Sequence, residues 1–262
     1  MIASISLSNV RTDVKSHASL ICSESCVAPG TIVDLAIRLN PAPGWHTYWR
    51  NPGDSGGPTT FALKLPVGWT QLAPTWPLPN RLDLSGVVSY GYKSTVLLVI
   101  PVQIPKNFSA TSVSIAGRVK WLTCTDEVCK PADQNVSLRL EVGPAHSSPQ
   151  RTLIENALNL AAKTDSNAQS TAFLGKQGIE LRVKNWRPSS NPTDYYFFPE
   201  STGVLDHSGP ERFSLDGSTL VAQLPKSPYS SAPPKKVVGI LTSRNGKTRE
   251  AIVIDVSVQR KQ

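Results

Sequence analysis

Cys124 and Cys129 stand with four residues between them in the stretch Lys120-Trp121-Leu122-Thr123-Cys124-Thr125-Asp126-Glu127-Val128-Cys129-Lys130-Pro131. Two thiols this close can form a structural bridge, or a dithiol that exchanges with a partner's disulfide. Bonding requires their Cα atoms to come within roughly 4.4–6.8 Å. A straight strand advances about 3.3 Å per residue, so the chain must reverse between them. The spacing predicts a hairpin tip with one cysteine on each side and Pro131 ending the turn. A bridge closing so short a loop removes little unfolded-state entropy, which makes it a poor staple and keeps the redox reading open. Asp126 and Glu127 disfavour a thiolate, Lys120 and Lys130 favour one, and no Cys-x-x-Cys opens a helix here. Spacing alone leaves both readings standing.

Cys22 and Cys26 enclose Ser23-Glu24-Ser25 and precede Ala28-Pro29-Gly30, which reads as a tight loop. A local structural disulfide is expected there, with a second redox pair as the alternative. Four cysteines allow three connectivities, of which pairing by proximity is simplest. Paired cysteines in a β-rich chain point to an oxidising compartment. Metal binding has candidate ligands in the four cysteines and in His17, His46, His146 and His207. Both pairs fit a Cys-x2–4-Cys spacing, but they lie about a hundred residues apart. Met1 is the single methionine, so a thioether copper site has little to draw on. The chain has no Gly-x-Ser-x-Gly, and Gly53-Asp54-Ser55-Gly56-Gly57 lacks the lysine of a phosphate loop. His46 reads as a strand-surface residue, and the six tryptophans as core and edge packing.

The chain's 262 residues suggest two domains or one large one. No run of 18 apolar residues marks a transmembrane helix. Met1-Ile2-Ala3-Ser4-Ile5-Ser6 has no charged region followed by an apolar one, so no signal peptide is visible. Together with the cysteines, this favours a mature or trimmed chain over a cytosolic one. The net charge is +8, with the densest groups at Lys235-Lys236, Arg244 through Arg249 and Arg260-Lys261. They form no clustered stripe with interleaved aromatics of the kind nucleic acid requires. They fit a solvated surface or attraction to an anionic membrane.

Proline (22) and glycine (17) punctuate short β-type runs, the pattern of sandwich-like β-domains. Ile32, Leu35 and Ile37 approach period two, with Val33 out of phase. Trp45 to Arg50 is strand-compatible, Asn51 to Pro58 a loop, and Phe61 to Leu65 an alternating strand. Trp69 to Pro79 is an ordered loop or edge strand, and Leu82 to Gly86 a second loop. Thr95 to Ile100 reads as a buried central strand. Val113, Ile115, Gly117, Val119 and Trp121 share one face before the cysteine tip; Val136, Leu138, Leu140 and Val142 share one face after it. Gly143 to Pro149 reads as an interdomain linker. Ser148 then caps a helix with Pro149 in its first turn, and Leu153, Ile154, Ala157, Leu158 and Ala161 repeat at helical spacing. Further strands are expected at 180–186, 195–198, 219–224, 237–242 and 251–258.

Several motifs together resemble a known family. Pro43-Gly44-Trp45-His46-Thr47-Tyr48-Trp49-Arg50-Asn51-Pro52-Gly53-Asp54-Ser55-Gly56 is similar to a signature of ScsB-type proteins, relatives of the transmembrane disulfide reductase DsbD. Ser89-Tyr90-Gly91-Tyr92, Leu122 to Pro131, Phe197-Phe198-Pro199-Glu200 and Val238-Gly239-Ile240-Leu241 follow in the expected order. The resemblance covers nearly the whole chain. It implies a periplasmic ectodomain of an inner-membrane protein whose membrane and thioredoxin-like domains lie outside this sequence.

The implied fold is mostly β, with two immunoglobulin-like β-sandwich domains and one short helix after the linker. Residues 1–143 would carry the redox pair and residues 144–262 the second sandwich. The implied activity is thiol–disulfide exchange without a cofactor or metal, as the protein-disulfide reductase module of a longer membrane protein. Electrons would pass to periplasmic disulfide isomerase or peroxidase partners of thioredoxin type, in a context often linked to copper tolerance. The family pair falls on Cys124 and Cys129, with Cys129 attacking and Cys124 resolving. The stretch matching the family's cap loop, Arg81 to Gly86, has leucines where the family has an aromatic, and Asp83 is the candidate for proton transfer there. Cys22 and Cys26 lie outside the pattern. The rival reading is an adaptor module with two structural disulfides.

Overall fold

The structure, a computed structural model, describes residues 15–84, 86–176, 178–188, 192–203, 205–206, 211–227, 230 and 234–260. Its first strands are β1 (Ser16–Cys22), β2 (Glu24–Val27), β3 (Ile32–Pro41), β4 (His46–Gly53), β5 (Thr60–Lys64) and β6 (Thr70–Gln71). They continue as β7 (Asn80–Leu84), β8 (Val87–Tyr92), β9 (Val96–Gln103), β10 (Ser112–Cys124), β11 (Cys129–Val142) and β12 (His146–Ser147). Helix α1 (Arg151–Asn159) follows. The rest is β13 (Gln169–Leu174), β14 (Gly178–Lys184), β15 (Asp194–Pro199), β16 (Arg212–Asp216), β17 (Thr219–Pro225), β18 (Lys236–Asn245) and β19 (Thr248–Arg260).

Two sheets build the first sandwich. One runs β1-β3-β9-β6; the other runs β12-β2-β11-β10-β4-β8-β7, with β5 also on β10. Leu35, Ile37, Leu98 and Ile100 of the first pack against Trp49, Ile115, Val119 and Trp121 of the second. The apolar run of β9 is continuous because both its faces are covered, unlike a half-exposed strand that must alternate. Leu98, Ile100 and Val102 face the sandwich, while Leu97 and Val99 join Ala36 and Ile154 beneath α1. The buried period-two face of β3 is Val33, Leu35, Ile37 and Leu39, and Ile32 is the exposed one. Leu35 and Ile37 lie on this face as expected, whereas Val33 belongs to it and Ile32 does not.

The third sheet runs β15-β18-β19-β13-β14-β17-β16. β19 joins its halves, pairing with β18 over residues 248–257 and with β13 over residues 258–260. The halves enclose Leu181, Val183, Phe197, Leu220, Leu241 and Ile254. The fold is mostly β and sandwich-like throughout, as expected from the sequence.

Other local expectations are corrected. The segment read as a linker is partly stitched to the first sheets: His146 and Ser147 pair with β2, and the Ser148 hydroxyl donates to the Cys22 carbonyl at 2.5 Å. The Ser148 oxygen also accepts the Gln150 N–H at 3.0 Å, too early for a cap, and the N-cap of α1 is Gln150 rather than Ser148. Ala161 lies beyond the helix and bridges to Pro77. β4 continues through Gly53, so the following loop starts at Asp54 rather than Asn51. Residues 80–84 and 87–92 form a hairpin in place of the second loop.

Candidate functional site

The longest ladder in the first sandwich is β10 on β11. It ends with Cys124 opposite Cys129. The two are disulfide-bonded, with Cα atoms 4.1 Å apart. Thr125 closes the tip: its N–H donates to the Val128 carbonyl at 2.9 Å, and its hydroxyl accepts from the N–H groups of Glu127 and Val128. The reversal thus lies within residues 125–128. Pro131 does not end the turn but sits in β11 opposite Leu122. It is tolerated there because β11 meets β2 only at residues 141–142, and proline fits a strand whose outer edge is open.

The two sulfurs are placed unequally. Cys124 is fully buried, whereas Cys129 is exposed. On its other side Cys124 lies opposite His46 of β4. Directly opposed residues share a sheet face with Cβ atoms about 4.5–5.5 Å apart, so Cys129, Cys124 and His46 form one row across three strands. His46 is 2 % exposed, which corrects its reading as a surface residue. It shares a face of β4 with Tyr48, opposite the core-facing Trp49, and the Tyr48 hydroxyl lies 3.1 Å from His46 Nε2. Burial lowers the His46 pKa, partly opposed by Asp126, and so favours the neutral imidazole. Burial raises the Tyr48 pKa. Lys130 stacks its ammonium over Trp45 at 5.8 Å, a cation–π contact on the outer side of the tip.

The glycine-rich motif holds β4 in place. Gly56 has φ +98, and a Cβ there would overlap the Tyr48 ring. The Asn51 amide donates to the Pro199 carbonyl at 2.7 Å while its oxygen accepts the Gly53 N–H. Arg50 pairs with Glu200 at 2.8 Å. Trp49, Tyr90 and Phe198 meet edge to face, and the Tyr90 and Tyr196 hydroxyls are 2.9 Å apart. One end of β4 therefore lines the disulfide and the other grips the third sheet. Spacing in the sequence pointed to Cys124 and Cys129. It missed His46 and Tyr48, whose signal was their i, i+2 placement inside the same motif.

Asp83 is not brought to this row. Its carboxylate accepts from the Gly86 N–H at 3.0 Å and pairs with Arg81 at 3.1 Å. By register it lies three strands over and four residues along from the row of Thr123, on the order of 20 Å at sheet spacings. Cys22 and Cys26 are unbonded, contrary to the expected local disulfide. They occupy different sheets: Cys22 points into the sandwich core, and Cys26 faces Gly143. Burial and Asp34 push the Cys22 thiol up to about 12. Among the described residues no three His, Cys, Asp or Glu side chains gather as a metal site; His207 lies outside those residues. No helix among them is long and apolar enough to cross a membrane.

The first sandwich thus presents a half-exposed disulfide at one hairpin tip. Residues 17–141 match the family described as thiol:disulfide interchange protein DsbD, N-terminal. Residues 17–141 therefore carry a DsbD-type N-terminal domain. Among solved structures, the N-terminal periplasmic domain of ScsB from Proteus mirabilis matches at 18% identity and TM-score 0.61, covering 92% of each chain. At that identity it shows the shared fold. A YadV chaperone (12% identity, 91% of this chain and 98% of that one, TM-score 0.23) and Spo0M, a sporulation control protein from Bacillus subtilis (10%, 92% and 91%, 0.24), score too low to carry an argument. No curated protein sequence matches the chain.

Proposed function

We propose that the chain is a periplasmic thiol–disulfide exchange module that relays reducing equivalents through Cys124 and Cys129. Residues 1–143 act as the redox domain and residues 144–262 as a second sandwich braced against it. The supporting observation is the unequal exposure of the bonded pair, on a segment of a thiol:disulfide interchange family.

A donor thiolate meets the exposed Cys129 sulfur first. It bonds to that sulfur, and the Cys124 sulfur leaves as the thiolate. The donor's second thiol then displaces Cys129, so the donor is oxidised to a disulfide and the pair is reduced by two electrons. In the next half-cycle the Cys129 thiolate attacks a partner disulfide and expels one partner thiolate. Cys124 then attacks the Cys129 sulfur, re-forms the bond and releases the second partner thiolate. Neutral His46 beside Cys124 is placed to take the proton of its thiol and return it. Donors and acceptors are thioredoxin-type domains: a membrane-linked donor on one side, and isomerase or peroxidase proteins on the other.

Equilibration in thiol buffers, alkylation and mass spectrometry test this reading. A potential for the pair between about −180 and −270 mV supports exchange, and Cys124→Ser should accumulate the mixed disulfide on Cys129. A potential below about −300 mV marks a structural bridge and returns the chain to the adaptor reading.

A further inference from the structure

Where β7 meets β15, β18 and β19, a cavity of about 530 Å³ opens to solvent. Its volume falls in the range of small-molecule sites, about 300–1,000 Å³. Arg81, Arg244, Lys247 and Arg249 line it against one carboxylate, Asp194. Arg81 is already matched by Asp83. Arg244 has Asp194 directly opposite it on β15 but forms no ion pair with it, and on its other side it stands directly opposite Arg249 of β19, an arrangement in which like charges destabilise a sheet.

Arg249 is half-buried and has no carboxylate within ion-pair distance among the described residues. Its guanidinium lies 5.6 Å from the Phe198 ring centroid and reaches Asn80 Oδ1 at 3.4 Å. Tyr196 supplies a second aromatic wall, stacked under Arg81 at 5.9 Å. The Arg244 Nε–H donates to the Gly246 carbonyl at 2.9 Å, which fixes the direction of its fork. Burial and the neighbouring Arg244 both lower the Arg249 pKa, so its charge is held against its surroundings. Glu211, a half-buried acid behind this wall, is pushed up to about 8 by burial, and its carboxyl is engaged by the Phe197 N–H at 2.9 Å rather than by the arginines.

We propose that this cavity binds a small oxyanion carrying two or more negative charges, a phosphate ester or a polycarboxylate, with Arg244 and Arg249 as paired anchors and Lys247 at the mouth. Two guanidinium forks fit such groups bidentately. The bound anion supplies countercharge to Arg249, which Asp194, opposite Arg244, does not pair. The site is separate from the disulfide, so its failure would leave the exchange reading untouched.

Isothermal titration of the full chain at low salt tests it, with pyrophosphate and citrate as probes. The expected result is saturable one-to-one binding of at least one probe. Arg244→Gln should weaken it about tenfold or more, and Lys184→Gln, a cation outside the cavity, should leave it unchanged. The tighter probe assigns the phosphate or the carboxylate class. Arg249→Met should abolish binding while leaving the melting temperature equal or higher; where that variant does not fold, Arg244→Gln and Lys247→Gln carry the test. No saturable binding of either probe, or equal weakening by Lys184→Gln, overturns the proposal.

Discussion

Replacing Gly56 by alanine tests whether the glycine-rich motif exists to seat Tyr48 beside His46. Two effects add at this position. An L-residue at φ +98 is strained by about 1–2 kcal/mol. The new Cβ would also overlap the Tyr48 ring, and overpacking of a filled site costs about 1–3 kcal/mol. Gly44→Ala is the control, because Gly44 has a similar φ of +79 and no atom within 4 Å of its would-be Cβ. The first effect is common to both variants and the second is confined to Gly56→Ala, which should be less stable than Gly44→Ala by about 2 kcal/mol. Urea unfolding followed by tryptophan fluorescence reads the difference directly, provided the m-values agree. Displacing Tyr48 should also change the rate at which dithiothreitol reduces the Cys124–Cys129 bond, with no such change in Gly44→Ala. Equal destabilisation by the two variants would refute the argument.

His46 is held below its ordinary pKa of 6.5 by burial, so its contribution to stability is present above that value and lost as pH falls below it; His46→Phe should flatten the acid limb of the stability curve and slow reduction of the disulfide. Glu211 is raised from 4.5 to about 8. Its contribution is full below pH 4.5 and lost as pH rises towards 8, so Glu211→Gln should remove a fall in melting temperature over that window. Maleimide labelling of the native protein should modify half-buried Cys26 and spare Cys22 until urea unfolds the chain; labelling of Cys22 in the native state would contradict its place in the core. Asn51→Ala removes a buried amide from the Pro199 carbonyl and should destabilise the protein by about 1–3 kcal/mol in urea titration.

Much of the first sandwich was legible because its periodicities are local. Val113 to Trp121 and Val136 to Val142 alternate on the two strands of one hairpin, and that alternation placed the cysteines at its tip. Thr95 to Ile100 announced a strand covered on both faces, although α1 as the second cover could not be read from the run itself. What escaped depends on contacts between distant segments. The bond between Cys22 and Cys26 was expected from proximity in the chain, but the two belong to different sheets. His46 looked exposed because its own strand does not show that both faces of β4 are covered, the Tyr48 face by the Gly56 segment folding back onto it. The strands β13 and β16 carry weak apolar patterns and were missed. Asp83 was picked for its chemistry beside a supposed cap loop, yet its segment is a hairpin whose turn it closes.

Pro131 on the open edge of β11 has a consequence for traffic at the disulfide. A bare strand edge beside an exposed sulfur invites a visiting chain to add a strand, and a visitor held by a backbone ladder leaves slowly. Proline two residues beyond Cys129 removes a donor at that spot. Visitors must therefore be recognised by side chains around the tip, such as Val128, Trp45 and Lys130. On the proposed exchange function, contact of that kind would be brief and would let one domain serve successive partners without becoming trapped on any of them.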